Sequence, residues 1–284
     1  MDYSNSAPAA PSVSPVSDTL MVRSDADVVL SWGASSDDTT PSNLISYHVR
    51  IGTCSGCDDT LSEIFIPPAG NAGATRSMIL NVSASGTYYW SVSAVDSVYA
   101  TSTWSTEDDF LVYVDETDPA VTNNQSGDDT WRMSEPGAVY GGDCSDSGGS
   151  LLDYCQYTAW SAASMSSVVG SELIPWATIS QDIDAASYTS DWGVNFATLP
   201  DGVSYVSVRA ADHEGNVTVA TDVFYVRKDT ATPTVSNGQA GDDTWYPTDP
   251  GAVFDVDFAD TGGSLLTSAA YTAWTASDMS SGTG

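Results

Sequence analysis

Aspartate is the residue type in this chain with the most chemistry to offer. Asp128-Asp129 returns further along as Asp242-Asp243, and Asp143-x-x-Asp146-x-Gly148-Gly149 returns as Asp257-x-x-Asp260-x-Gly262-Gly263. Carboxylates spaced along glycine-bearing loops can supply the six to eight oxygens that calcium takes. Asp115, Glu116 and Asp118 stand close together in sequence and form a second candidate metal-ligating set. The same residue types build turns without any ion, and that plainer use competes at every one of these positions. No EF-hand loop or glycine-rich calcium repeat is present.

Four cysteines fall into two local pairs, Cys54 with Cys57 and Cys144 with Cys155. Even, local pairing predicts disulfides and an oxidising compartment. Cys54-Ser55-Gly56-Cys57 also has redox-motif spacing, but Asp58-Asp59 follows it where a thiolate would need positive potential. Two cysteines are too few for a structural zinc. The only histidines are His48 and His213, neither within a catalytic motif, and no phosphate loop or dinucleotide fingerprint is present. No enzyme activity is expected.

Acidic residues number 38 against 7 basic ones, a net charge of −31 spread over the whole length. That balance predicts repulsion from nucleic acid and from anionic membrane surfaces. Bound divalent cations would offset the self-repulsion, and an acidic solvated surface explains it without them. No apolar run reaches membrane-spanning length, and Met1-Asp2 begins no signal peptide. The export signal and any anchor are expected outside this stretch.

These side chains must be positioned by strands. Val, Thr, Tyr and Trp favour extended structure, and Gly, Asp, Asn and Pro favour turns. Val28, Leu30 and Trp32 alternate, as do Ile45, Tyr47, Val49 and Ile51, with Ser46, His48 and Arg50 on the opposite face. Trp90, Val92 and Ala94 follow the same period. Pro119–Gly170 aligns without gaps to Pro233–Gly284, with 29 identities in 52 positions. The 114-residue offset is the length of one β-sandwich. In the second copy Cys144 and Cys155 become Phe258 and Ala269, as a packed pair on adjoining strands would permit. Trp131/Trp245 and Trp160/Trp274 recur; such rings can stack on sugars, but core packing is their expected role.

Residues 8–114 resemble a bacterial fibronectin type III domain. Leu30-Ser31-Trp32, Tyr47-x-Val49-x-Ile51, Gly86-Thr87-Tyr88 with Trp90-x-Val92-x-Ala94, and Thr103-Trp104-Ser105 with Phe110-Leu111-Val112 carry the likeness. It implies that Tyr88 is a tyrosine corner and that Trp32 and Trp90 are buried. The repeated module resembles bacterial immunoglobulin-like domains through Leu199-Pro200-Asp201-Gly202, Val206–Asp212 and Gly215-Asn216. The linkers Asp115-Glu116-Thr117-Asp118-Pro119 and Asp229-Thr230-Ala231-Thr232-Pro233 resemble the acidic, proline-ended junctions of such arrays.

The expected fold is all-β: tandem antiparallel sandwiches, with an extension at 1–7, a fibronectin type III-like module at 8–114, an immunoglobulin-like repeat at 115–227 and an incomplete second repeat at 228–284. The expected role is a spacer stalk or adhesin segment of a secreted or cell-surface protein, stiffened by calcium at its linkers. Its partners would be neighbouring modules of the same parent chain and a cell-surface glycan or protein, with no nucleic acid and no membrane insertion. A carbohydrate-binding accessory region of a secreted enzyme, or a surface-filament subunit, are the alternatives.

Overall fold

A computed structural model of the chain describes residues 5–61, 70–125, 130–239 and 244–274. The protein is all-β, and its contacts divide it into two compact units. The first takes in Met1–Asp118 together with the loops Asp146–Leu151 and Asp212–Asn216; the second takes in Pro119–Ser145, Leu152–Ala211 and Val217–Gly284.

The first unit is built from β1 (Val13–Ser14), β2 (Thr19–Val22), β3 (Ala26–Trp32), β4 (Ser46–Gly52), β5 (Ser77–Val82), β6 (Gly86–Val95) and β7 (Asp108–Val114). They form two sheets, ordered β1-β3-β5 and β2-β7-β6-β4. One core lies between the sheets, because each strand turns its alternate apolar residues inward. Val28, Leu30 and Trp32 of β3 meet Tyr47, Val49 and Ile51 of β4 and Trp90, Val92 and Ala94 of β6, all buried. Each large side chain of this kind contributes roughly 1.5–3 kcal/mol by leaving water. Trp90 keeps its indole N–H satisfied by donating to Asp108 Oδ2 at 3.2 Å. Tyr88 Oη donates to the Ala84 carbonyl at 3.1 Å, closing the corner before β6 as the fibronectin-like pattern implies.

The second unit continues with β8 (Ala120–Asn123), β9 (Trp131–Arg132), β10 (Gly142–Ser145), β11 (Leu152–Trp160), β12 (Glu172–Ala185), β13 (Ser187–Tyr188), β14 (Gly202–Asp212), β15 (Val217–Lys228), β16 (Thr234–Asn237) and β17 (Val256–Ala259). A sheet ordered β13-β10-β8 faces a five-stranded sheet ordered β12-β11-β14-β15-β9. Tyr140 and Phe224 stack in the core with their rings 4.8 Å apart, and Trp192 packs tilted against both. Cys144 is bonded to Cys155, and Cys54 to Cys57. Cys144 and Cys155 lie on consecutive strands that belong to facing sheets, so the bond crosses the sandwich rather than joining neighbours in one sheet. The adjoining-strand expectation is corrected here: the loop between β10 and β11 carries the chain from one layer to the other.

The repeat is visible in the hydrogen bonding. β8 pairs with β10 from Asn123–Gly142 to Ala120–Ser145, and β16 pairs with β17 in the identical register, from Asn237–Val256 to Thr234–Ala259. Burial differs: Cys144 is fully buried, whereas its counterpart Phe258 is 38% exposed. The recurring tryptophans also depart from expectation. Trp131 and Trp160 are only half-buried, and Trp245 and Trp274 are exposed, because these residues fall outside the inward-facing alternation.

Candidate metal centre

Three aspartates converge within the first unit. One carboxylate oxygen from each of Asp115, Asp146 and Asp212 lies within 4.8 Å of the others. Two oxygens on one calcium ion stand at most about 5 Å apart, so the trio can share an ion. All three residues are buried, at 1%, 7% and 2% exposure.

The local sequence explains each placement. Asp115 follows β7 directly, and its amide donates to the Val22 carbonyl at 2.8 Å, so the residue is held as the next rung of the β2–β7 ladder. Its Oδ1 accepts the Thr117 amide at 3.0 Å and its Oδ2 the Ser150 amide at 2.9 Å. Asp146 folds the Asp-Ser-Gly-Gly-Ser loop around itself. It accepts the Gly148 amide at 3.1 Å, Gly149 at 3.3 Å and Leu151 at 3.0 Å. Gly148 must lack a side chain, because a Cβ there would overlap the Asp115 carboxylate. Gly149 has φ of +108°, a conformation glycine adopts at no steric cost.

Asp212 ends β14. The inward series Val206, Val208, Ala210 continues to it, which is why an aspartate is buried there. Its oxygens accept the Asn216 amide at 2.9 Å and the Asn216 Nδ2 at 2.7 Å. The same Nδ2 donates to the Asp115 carbonyl at 2.9 Å, which brings the two loops together.

Burial pushes the Asp115 carboxyl up, but the bonds from Ser150 and Thr117 outweigh it and hold the group below its ordinary value. Glu214, in the same turn as Asp212, is pushed the other way. Burial raises it, and the charges of Asp212 and Asp115 raise it further, with His213 opposing. Asp212 and Asp115 therefore keep a negative field at Glu214 despite the amides they accept. A carboxylate has about four acceptor sites, and each of these uses two or three on the protein. Each carboxylate therefore keeps acceptor capacity to spare.

The residues singled out from sequence divide accordingly. Asp115 and Asp146 meet in the trio. Glu116 and Asp118 are exposed and stand outside it. Asp143 lies on β10, where its carboxylate takes the Asn124 side-chain amide. Asp128 and Asp129 lie outside the described residues. Asp212 stands in the sequence only as the end of the Val206–Asp212 segment that carries the immunoglobulin-like resemblance.

The recurrence extends to this cradle. Asp229 Oδ2 accepts the Ser264 amide at 2.9 Å and its Oδ1 the Ala231 amide at 3.0 Å, and Asp260 Oδ2 accepts Leu265 at 3.0 Å. Gly262 abuts Asp229 as Gly148 abuts Asp115.

No family model matches the chain, and no curated protein matches it. Solved structures do. The fibronectin(III)-like modules of Clostridium thermocellum CbhA align at 17% identity over 77% of this chain and 94% of that one, with a TM-score of 0.34. A tetra-tandem repeat from the extending region of a large adhesion protein aligns at 18% identity over 83% of this chain and 53% of that one, with a TM-score of 0.26. The chicken CNTN1 FN1–FN3 domains align at 13% identity over 78% and 68%, with a TM-score of 0.24. At such scores these likenesses add nothing to what the strand pairing and the residues themselves carry.

Proposed function

We propose that this chain is a non-catalytic structural or adhesion segment of an extracellular or cell-surface protein, and that calcium bound by Asp115, Asp146 and Asp212 stiffens it. The convergence of three buried carboxylates carries this reading. Burying like charges together is costly unless an opposite charge joins them. A divalent ion at the trio would tie the linker after β7 to the loops 146–151 and 212–216, replacing repulsion with shared coordination. The two disulfides fit an oxidising compartment. His48 lies on β4, and His213 lies in the turn after β14.

Calorimetric titration of the full chain with calcium, beside melting curves in calcium and in chelator, tests the reading. A saturable heat and a midpoint that rises with calcium are expected. Overlaid melting curves with no saturable heat would leave an acidic spacer held by its amide bonds alone.

A further inference from the structure

The two disulfides sit in opposite settings. Cys144 and Cys155 are both fully buried, whereas Cys54 is exposed and Cys57 half-buried in the loop after β4. Cys54-Ser55-Gly56-Cys57 is a complete β-turn even without its sulfurs. The Cys57 amide donates to the Cys54 carbonyl at 2.9 Å, and Gly56 supplies the φ of +77° that such a turn needs at its third position.

Side chains outside the turn hold it in place. Glu107 accepts the Ser55 hydroxyl at 2.6 Å and the Gly56 amide at 2.9 Å. Arg50, over the Trp104 ring at 4.5 Å, stands 3.6 Å from Glu107. Asp59 accepts the amide and the hydroxyl of Thr53, at 2.7 Å and 2.6 Å. None of these bonds depends on sulfur, so they keep the two cysteines together when the disulfide opens. The loop that the bond closes is also short, and short loops gain least from closure.

We propose that Cys54–Cys57 is a reversible capture site for cationic aminothiols. The incoming thiolate attacks the exposed Cys54 Sγ, the Cys54–Cys57 bond breaks, and Cys57 leaves as a thiolate that takes a proton from water. The product is a mixed disulfide at Cys54 and a thiol at Cys57. The turn holds that thiol beside the mixed disulfide. Its return attack on Cys54 Sγ expels the captured thiol and restores the bond, with no oxidant consumed. Charge sets the preference. Asp58, Asp59 and Glu107 stand at or beside the turn against Arg50, on a chain of net charge −31. An ammonium group offsets the repulsion that an incoming thiolate meets, and a carboxylate adds to it.

The test exposes the folded, oxidised full chain to cysteamine or to mercaptopropionate at equal thiolate concentration. Samples are quenched with N-ethylmaleimide, and the cysteines are mapped by mass spectrometry. Cysteamine is expected on Cys54 and maleimide on Cys57, with Cys144–Cys155 still bonded. Mercaptopropionate should open the bond about tenfold more slowly, and high salt should narrow that gap. Desalting before the quench should restore Cys54–Cys57. A bond that stays closed in the folded chain, Cys144–Cys155 opening at the same rate, equal rates for the two thiols, or a mixed disulfide that persists after desalting would each overturn the proposal.

Discussion

The two copies of the repeated segment hold their linker aspartates in the same cradle and differ in the charge gathered around it. Asp115 and Asp229 take the same amide donors at matching distances, and each is crowded by a glycine of the following loop. Asp115 and Asp146 are joined by Asp212, whereas no third acidic side chain groups with Asp229 and Asp260 among the described residues. The cradle is therefore a property of local sequence, repeated wherever the sequence repeats. The cluster of charge is not local, because Asp212 arrives from the end of a strand far along the chain.

The largest effect should come from another difference between the copies. Replacing Cys144 and Cys155 together with alanine removes the cross-sandwich bond and should cost about 3 kcal/mol. The Cys144→Phe/Cys155→Ala pair, carried naturally by the second copy, should recover part of that loss. Denaturant unfolding of the full chain in the absence of reductant measures both.

Calcium should separate the copies next. At about 100 times its Kd it would add about 2.7 kcal/mol through the trio. Asp115→Asn and Asp212→Asn should abolish the calcium-dependent rise in melting midpoint, and Asp229→Asn should leave it in place. A rise retained in Asp212→Asn would remove the distinction between the two sites.

Gly148→Ala should then cost about 2 kcal/mol, because the new Cβ meets a carboxylate that two amides hold in place. Calcium binding should fail in that variant and persist in Gly262→Ala.

The smallest effect is in the pH dependence. Asp115 and Asp229 are both held below their ordinary value, Asp229 chiefly by the bonds from Ser264. As pH falls below about 4, the unfolded chain takes up these protons first, so both copies lose stability. Glu214 works in the opposite sense. Folding raises its pKa, so the folded chain keeps the proton longer, and stability falls as pH rises above about 4.5. Glu214→Gln should flatten that upper limb, measured by unfolding at a series of pH values in chelator.

Much of the fold was legible because a period of two is unambiguous where one face is buried. Val28, Leu30 and Trp32, or Trp90, Val92 and Ala94, announce their inward face directly. The Tyr88 corner followed from the fibronectin-like resemblance, and the identical registers of the two repeat ladders match the ungapped alignment of the copies. The candidate site was legible only in part. Adjacency in sequence suggested Glu116 and Asp118 as partners of Asp115, but neighbours along an extended chain point apart. Asp212 carried a usable signal, since Val206, Val208 and Ala210 lead to it on the buried face. Which loop it would meet depends on how the chain returns, and no local pattern encodes that. The cysteine pair shows the same limit: spacing gave the partner but not the layer.

The pairing of β2 with β7 has a mechanical consequence. The two strands run parallel, from Thr19–Leu111 to Val22–Val114, and the flanking bonds Leu111 to Asp18 and Asp115 to Val22 extend the ladder. One strand lies near the amino-terminal end of the first unit, and the other leads out of its carboxyl-terminal end. Tension applied across those ends draws the two strands in opposite directions along their length. Every rung is then loaded at once, and the ladder must shear as a whole instead of opening bond by bond. Under load, survival is set by the rate of crossing that barrier, not by equilibrium stability. In a segment that carries force, the four-residue strand β2 would be the clamp.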